Sequence, residues 1–188
     1  MTAYFDIACD GAPVGGVRVI AVAGQPDRPA ARAAIRSALQ AALADFCGAP
    51  PAQVRVHTAP GRAPHALVGA ARVGLSISHD EGLSVAAIRM QGAVGVDVMR
   101  IVDAPDSTAV ARDYLGPDAA RALAALPAPA RAAAFARAWS AHEARLKCLG
   151  LALAEWNPAL AAALATCSVR MLALPPGYAG ALALAEAA

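Results

Sequence analysis

Four short stretches of this 188-residue chain carry residue types able to do chemistry. In Ala138-Trp139-Ser140-Ala141-His142-Glu143-Ala144-Arg145-Leu146-Lys147 an acid precedes a base by four positions, so Glu143 and Lys147 share one helical face. On an open surface such a pair is an ordinary ion pair contributing only about 0.2–0.5 kcal/mol. In Val94-Gly95-Val96-Asp97-Val98 a single aspartate interrupts an apolar strand, where an unpaired carboxylate is costly to bury. It is either a strand-end cap or a ligand for a hard cation such as magnesium, which a carboxylate on a rigid strand suits. Leu75-Ser76-Ile77-Ser78-His79-Asp80 alternates apolar and polar residues and delivers a hydroxyl, an imidazole and an acid into a turn, a composition able to bind phosphate. A Ser/His/Asp nucleophilic triad is disfavoured, because neighbours at a strand end cannot easily aim at one another and no strand-turn-helix elbow surrounds Ser78. Pro60-Gly61-Arg62-Ala63-Pro64 holds one arginine in a stiff turn, solvated unless a ligand claims it.

The elements that must position these residues follow from periodicity and punctuation. Short strands are expected at Tyr4–Cys9 and Val17–Ala23, then an amphipathic helix Arg28–Cys47 ended by Gly48 and Pro50-Pro51. A strand Gln53–Thr58 follows, then the turn-rich Ala59–Pro64. Three extended segments come next, Val73–Ser78, Leu83–Met90 and Val94–Val98, parted by the hairpin-like Asp80-Glu81-Gly82 and Gln91-Gly92. Helices are expected at Ser107–Tyr114, Asp118–Leu126 and Ala130–Leu149, the last begun by Pro127/Pro129 and stopped by Gly150. Strands near Ser168–Leu174 and Tyr178–Leu184 close the chain around Pro175-Pro176-Gly177. This order favours an α+β fold over a regular alternating α/β sheet. The two halves look loosely alike, each with a long alanine-rich helix and a small antiparallel sheet, dividing into residues 1–99 and 100–188.

Composition narrows the function classes. With 58% apolar residues the chain can fill a core, and much of that fraction is alanine in helix-like stretches. No run approaches the roughly 20 apolar residues of a membrane span, and Asp6 and Asp10 sit where a signal peptide avoids acids, so a cytoplasmic protein is expected. Cys9, Cys47, Cys148 and Cys167 are far apart and make no Cys-x-x-Cys pair, so they read as buried reduced thiols. A net charge of +2, from 16 basic and 14 acidic residues, is too balanced for a nucleic-acid binder. The basic residues are mostly arginine, which leaves small anions and acidic protein partners open.

Taken together, the turn arginine, the Ser-His strand, the Gly-Val-Asp strand and the Trp-Ser-x-x-Glu-Ala-x-x-Lys helix resemble the 4'-phosphopantetheinyl transferase superfamily, in particular its single-chain surfactin-synthetase-activating type. That type carries Gly-Ile/Val-Asp followed some forty residues later by Trp-Ser/Thr-x-Lys-Glu-Ala-x-x-Lys; here Asp97 and Glu143 stand 46 positions apart. The resemblance extends to the arginine-bearing helix Arg28–Cys47 and to the Pro-Gly-Tyr-Ala-Gly-Ala-Leu-Ala ending at Pro176–Ala183. It implies two similar α+β lobes related by a pseudo-twofold axis with coenzyme A between them. It further implies magnesium on Asp97 and Glu143, Lys147 on the pyrophosphate, Ser78 and His79 on the phosphates, and Arg62 at the nucleotide end. Arg32 and Arg36 are candidates for the 3'-phosphate or are solvated helix arginines. The implied reaction is attack of a serine hydroxyl of an apo acyl or peptidyl carrier protein on the β-phosphorus of coenzyme A, with 3',5'-ADP leaving; Glu143, the preferred candidate, or a metal-bound water would serve as general base.

Two departures stand out. Met99 occupies the place of a second acid that many members carry two residues after the aspartate, and His142 replaces the lysine that usually precedes the glutamate. Histidine there would give a weaker, pH-sensitive phosphate contact. These departures are the support for a competing reading, a relative that binds coenzyme A or a carrier without turnover. A purely helical interaction protein leaves Val73–Val98 unexplained. For an acidic carrier, Arg112, Arg121, Arg131 and Arg137 are the candidate rim, and a monomer is expected because two lobes in one chain already form the cleft.

Overall fold

A computed structural model describes residues 3–12, 14–25, 27–58 and 63–185. Its first sheet contains β1 (Phe5–Asp6), β2 (Val17–Ala23), β3 (Val54–His57), β4 (His65–Val68), β5 (Ala71–Asp80) and β6 (Leu83–Arg89), in the spatial order β1-β2-β6-β5-β4-β3. The second contains β7 (Val94–Arg100), β8 (Cys167–Met171) and β9 (Tyr178–Ala185), in the order β7-β9-β8. All neighbouring pairs are antiparallel. The helices are α1 (Arg28–Cys47), α2 (Ser107–Val110), α3 (Pro117–Ala124), α4 (Ala128–Leu149) and α5 (Pro158–Leu164), with a 3₁₀ turn at Pro51–Gln53 and a π turn at Ala111–Leu115.

The layers run α1, first sheet, second sheet, α4. Ile35, Leu39 and Leu43 recur at helical spacing on α1 and pack on Ile20, Val22, Leu75 and Ile88 of the first sheet. That sheet's other face supplies Val19, Ala21, Val85 and Ala87 to a core shared with Val94, Val96, Val98, Leu182 and Leu184 of the second sheet. β6 lies inside this sandwich, so six of its seven residues are buried and its sequence shows no polar alternation. Helix α1 begins where the Asp27 side chain accepts from the Ala30 amide at 2.8 Å, and ends at Gly48 in the left-handed region. Gly150 ends α4 in the same way.

Each sheet has its last strand in the middle, β6 between β2 and β5 in the first and β9 between β7 and β8 in the second, and each follows a strand and a long helix, although β3 and β4 intervene between α1 and β5. The likeness expected of the two halves is therefore one of topology, although six strands face three. β7 belongs to the second sheet by its pairing with β9, so the division expected after residue 99 falls inside a strand. β4 and α5 were not anticipated, since His65–Val68 is short and follows a turn-rich stretch, and the alanines of α5 follow an irregular segment. The helix expected over Ser107–Tyr114 gives way at Ala111 to the π turn. Cys148 and Cys167 are buried as free thiols, and burial followed by the neighbouring Cys167 thiol pushes Cys148 up to about 12. Cys9 and Cys47 are only half-buried, against the expectation for all four.

Candidate active site

Asp97 sits near the middle of β7 with Val96 and Val98 turned into the core between the sheets. The alternation of the strand then puts Gly95, Asp97 and Met99 on the side facing α4. Gly95 lets the helix come close. A Cβ built there would overlap the Ala144 carbonyl oxygen and stand 2.5 Å from the Cys148 amide nitrogen. Ala144, Ala181 and Ala183 complete this small-residue contact.

The close approach brings Lys147 Nζ to 2.7 Å from Asp97 Oδ1, with the aspartate side chain only 9% exposed. Ser78, at the cleft end of β5, donates to the same Oδ1 at 2.7 Å and accepts from Lys147 Nζ at 3.1 Å. The cost of burying Asp97 is thus offset by a cation and a hydroxyl. Asp97 Oδ2 has no hydrogen-bond partner among the described residues. These three side chains line a cleft of about 470 Å³ together with Glu143, His79, Arg28, Arg32, Met99 and Trp139. Trp139, Glu143 and Lys147 occupy successive turns of α4, so one helical face forms a wall.

The electrostatics of the cleft are mixed. Burial raises the Glu143 carboxyl above the ordinary glutamate value, Lys147 opposes that shift and Asp97 adds to it. Burial also lowers His79, and the positive charges of Arg32, Lys147 and Arg28 lower it further. Its Nδ1 is held 2.8 Å from Ser84 Oγ. Three cations thus converge on His79 beside the carboxylates of Asp80, Asp97 and Glu143, an arrangement suited to an anion that arrives with a metal.

Of the residues singled out from sequence, Asp97, Glu143, Lys147, Ser78, His79 and Arg32 meet in this cleft. Arg36 is exposed one turn further along α1 and does not line it. Arg62 lies outside the described residues. Arg28 lines the cleft and was missed; its spacing of four from Arg32 is the signal that would have found it. His142 is only 7% exposed, does not line the cleft, and keeps a buried Nε2 without a partner among the described residues. Burial, followed by Arg145, lowers its pKa, so a phosphate contact from His142 finds no support. Met99 packs against the cluster of Ala111, Leu123 and Phe135, which accounts for an apolar residue at that position. Among the rim candidates, Arg112 pairs with Asp113, Arg121 with Asp118, and Arg131 binds the Leu126 and Ala124 carbonyls. Arg137 makes no side-chain hydrogen bond or ion pair among the described residues.

The segment carrying Asp97, Glu143 and Lys147 has a known counterpart. Residues 93–170 match the model of the 4'-phosphopantetheinyl transferase superfamily. The matched segment opens just before β7, takes in α2 to α5 and ends within β8. Ser78, His79, Arg28 and Arg32 lie ahead of it. No curated protein matches the chain. Superfamily members generally use coenzyme A and magnesium. Among the described residues no group of three or more His, Cys, Asp or Glu is arranged to hold a metal ion. The donor set fits magnesium in its usual manner with nucleotides, in which one or two carboxylates are completed by phosphate oxygens and water. Asp97 through Oδ2 and Glu143 would hold it. No helix among the described residues is long and apolar enough to cross a membrane.

Proposed function

We propose that this chain transfers the 4'-phosphopantetheine group of coenzyme A to a serine of an apo acyl or peptidyl carrier protein, releasing 3',5'-ADP. In this reading it is a monomeric, cytoplasmic enzyme of the single-chain, surfactin-synthetase-activating type, with its two sheet-and-helix units forming a pseudo-twofold pair around the cleft. The observation that carries it is the meeting of Asp97, Glu143 and Lys147 with Arg28, Arg32 and His79 in one cleft, on a chain whose residues 93–170 match the superfamily.

The chemistry follows from the residues. Arg28, Arg32 and His79 bind and orient the phosphates, with Arg62 directed to the nucleotide end. Lys147, already held against Asp97, contacts the pyrophosphate and offsets the charge that collects on the departing oxygen. Bound magnesium would supply further neutralisation of the pyrophosphate. Glu143 takes the proton of the carrier serine as its oxygen bonds to the β-phosphorus and the bridging P–O bond breaks. Its raised pKa makes it a better proton acceptor than an exposed carboxylate. An apolar recess of about 360 Å³, lined by Leu75, Ile77, Gly150 and Leu151 and sharing Lys147 with the cleft, suits the pantetheine arm. The exposed Arg137 is the best placed of the α4 arginines to meet an acidic carrier.

Incubation with coenzyme A and an apo acyl carrier protein, read by intact mass, tests this. A phosphopantetheine mass gain that requires magnesium and falls at least about 100-fold in rate in Asp97→Ala and Glu143→Ala is expected. Coenzyme A binding with no gain on several carriers would instead establish a relative without turnover.

A further inference from the structure

β7 is an edge strand of its sheet, and among the described residues one side of its backbone pairs with no other strand. Edge amides need partners when they are covered, and here they find side chains. The Val96 amide donates to Ser76 Oγ at 2.9 Å, the Val98 amide to Ser78 Oγ at 3.4 Å, and the Arg100 amide to Asp80 Oδ2 at 2.6 Å. Both series advance by two, the period of a strand, so alternate side chains of β5 satisfy alternate amides of β7. Val96 and Val98 are 0% and 4% exposed, so neither amide has water as an alternative. The β5–β6 turn is tied down at the same end, where Tyr178 donates to the Glu81 carbonyl at 2.6 Å and Arg100 pairs with Glu81.

We propose that Ser76, Ser78 and Asp80 form a side-chain ladder that replaces a missing neighbour strand along β7 and acts as the positioning device for Asp97 and Lys147. The inference rests on the transfer reaction for its kinetic consequence and on the geometry alone for the ladder itself. Ser78 is its central member. A serine hydroxyl has one proton to give and two lone pairs to receive. Here the proton goes to Asp97 Oδ1, and the lone pairs face Lys147 Nζ and the Val98 amide. No capacity remains for a phosphate. Ser78, expected from sequence to contact the coenzyme's phosphates, therefore acts on the reaction through Asp97 and Lys147. Its neighbour His79 is the phosphate-facing partner of the pair. Ser76 and Asp80 hold the same register one step to either side, so a slip of β7 that would swing Asp97 to the wrong face costs the whole ladder at once.

The test compares Ser78→Ala, Ser78→Thr, Ser76→Ala and Asp80→Ala with the parent by transfer kinetics, coenzyme A calorimetry and residue-resolved amide exchange. Ser78→Ala is expected to lower kcat by about 10- to 100-fold while KM and Kd for coenzyme A stay within about twofold, with Ser78→Thr restoring much of the rate. The Val96, Val98 and Arg100 amides should exchange at least about tenfold faster in Ser76→Ala, Ser78→Ala and Asp80→Ala respectively. A rise of tenfold or more in Kd for coenzyme A with kcat unchanged would make Ser78 a phosphate ligand and overturn the proposal, as would unchanged exchange at all three amides. If the parent transfers nothing, the proposed reaction fails, and exchange with calorimetry still decides the ladder. If Ser78→Ala does not fold, Ser76→Ala and Asp80→Ala decide it by exchange at their own amides.

Discussion

Helices α1 and α4 cover the outer faces of the two sheets, yet they do so in opposite ways. α1 rests on large aliphatic side chains, with Ile35, Leu39 and Leu43 meeting Ile20, Val22 and Ile88. At its contact with β7, α4 rests instead on small side chains and backbone, with Ala144 and Cys148 lying over Gly95 and next to Ala181 and Ala183. Apolar area stabilises the first contact, and close approach characterises the second. In the reading proposed here the close approach sets the Lys147 ammonium 2.7 Å from a carboxylate in the middle of the strand. α1 contributes only the long side chains of Arg28 and Arg32 to the cleft, and arginine's reach makes a close helix unnecessary.

The comparison breaks most severely at Gly95. Gly95→Val is expected to push α4 off β7, lowering stability by about 1–3 kcal/mol or more and transfer by at least about 100-fold. Thermal melts and the mass assay on the folded fraction would show both losses; a variant with full activity would mean that the close approach is dispensable. On the other side, Leu39→Ala, at a position with no exposure, should cost about 2–5 kcal/mol of stability while the folded fraction keeps kcat within about twofold. A large fall in kcat there would show that the α1 contact also sets the site.

The smallest expected effect concerns Glu143. Because burial raises its pKa, the folded chain keeps the proton at pH values where the unfolded chain has lost it. Stability associated with the neutral form is complete below the ordinary glutamate value and is lost as pH rises through the raised one. Glu143→Gln, which stays neutral, should therefore melt about 1–3 °C above the parent at pH 7–8, with the gap closing toward pH 4, while transfer falls. A lower melting temperature at pH 7–8 would indicate that the charged carboxylate is stabilising and that the Lys147 attraction outweighs burial.

Much of this was legible from the chain. β2 and α1 fall on the expected residues because a short apolar run and a helix ended by a glycine and a proline pair are local signals. The acid-base pair on α4 and the lone aspartate in an apolar strand announced themselves by residue type and spacing. β4 is too short to show a period after a turn-rich stretch, and the π turn after α2 carries no local punctuation that distinguishes it from a helix. Met99 and His142 look like departures in a motif; the apolar cluster around Met99 accounts for the first, and burial places the second outside the cleft.

The sequence alone determined which residues had chemistry to offer, where α4 and β7 run, and that Glu143 and Lys147 share a face, since all of these depend on neighbours within a few positions. Tertiary structure decided that Asp97 meets Lys147 across fifty residues, that Arg28 reaches the cleft while Arg36 does not, and that Ser78 spends its hydroxyl on Asp97, Lys147 and Val98. The physical reason lies in the contact between elements distant in the chain. How closely α4 approaches β7, and which amides of a strand lack a neighbour, depend on packing that no window of sequence contains.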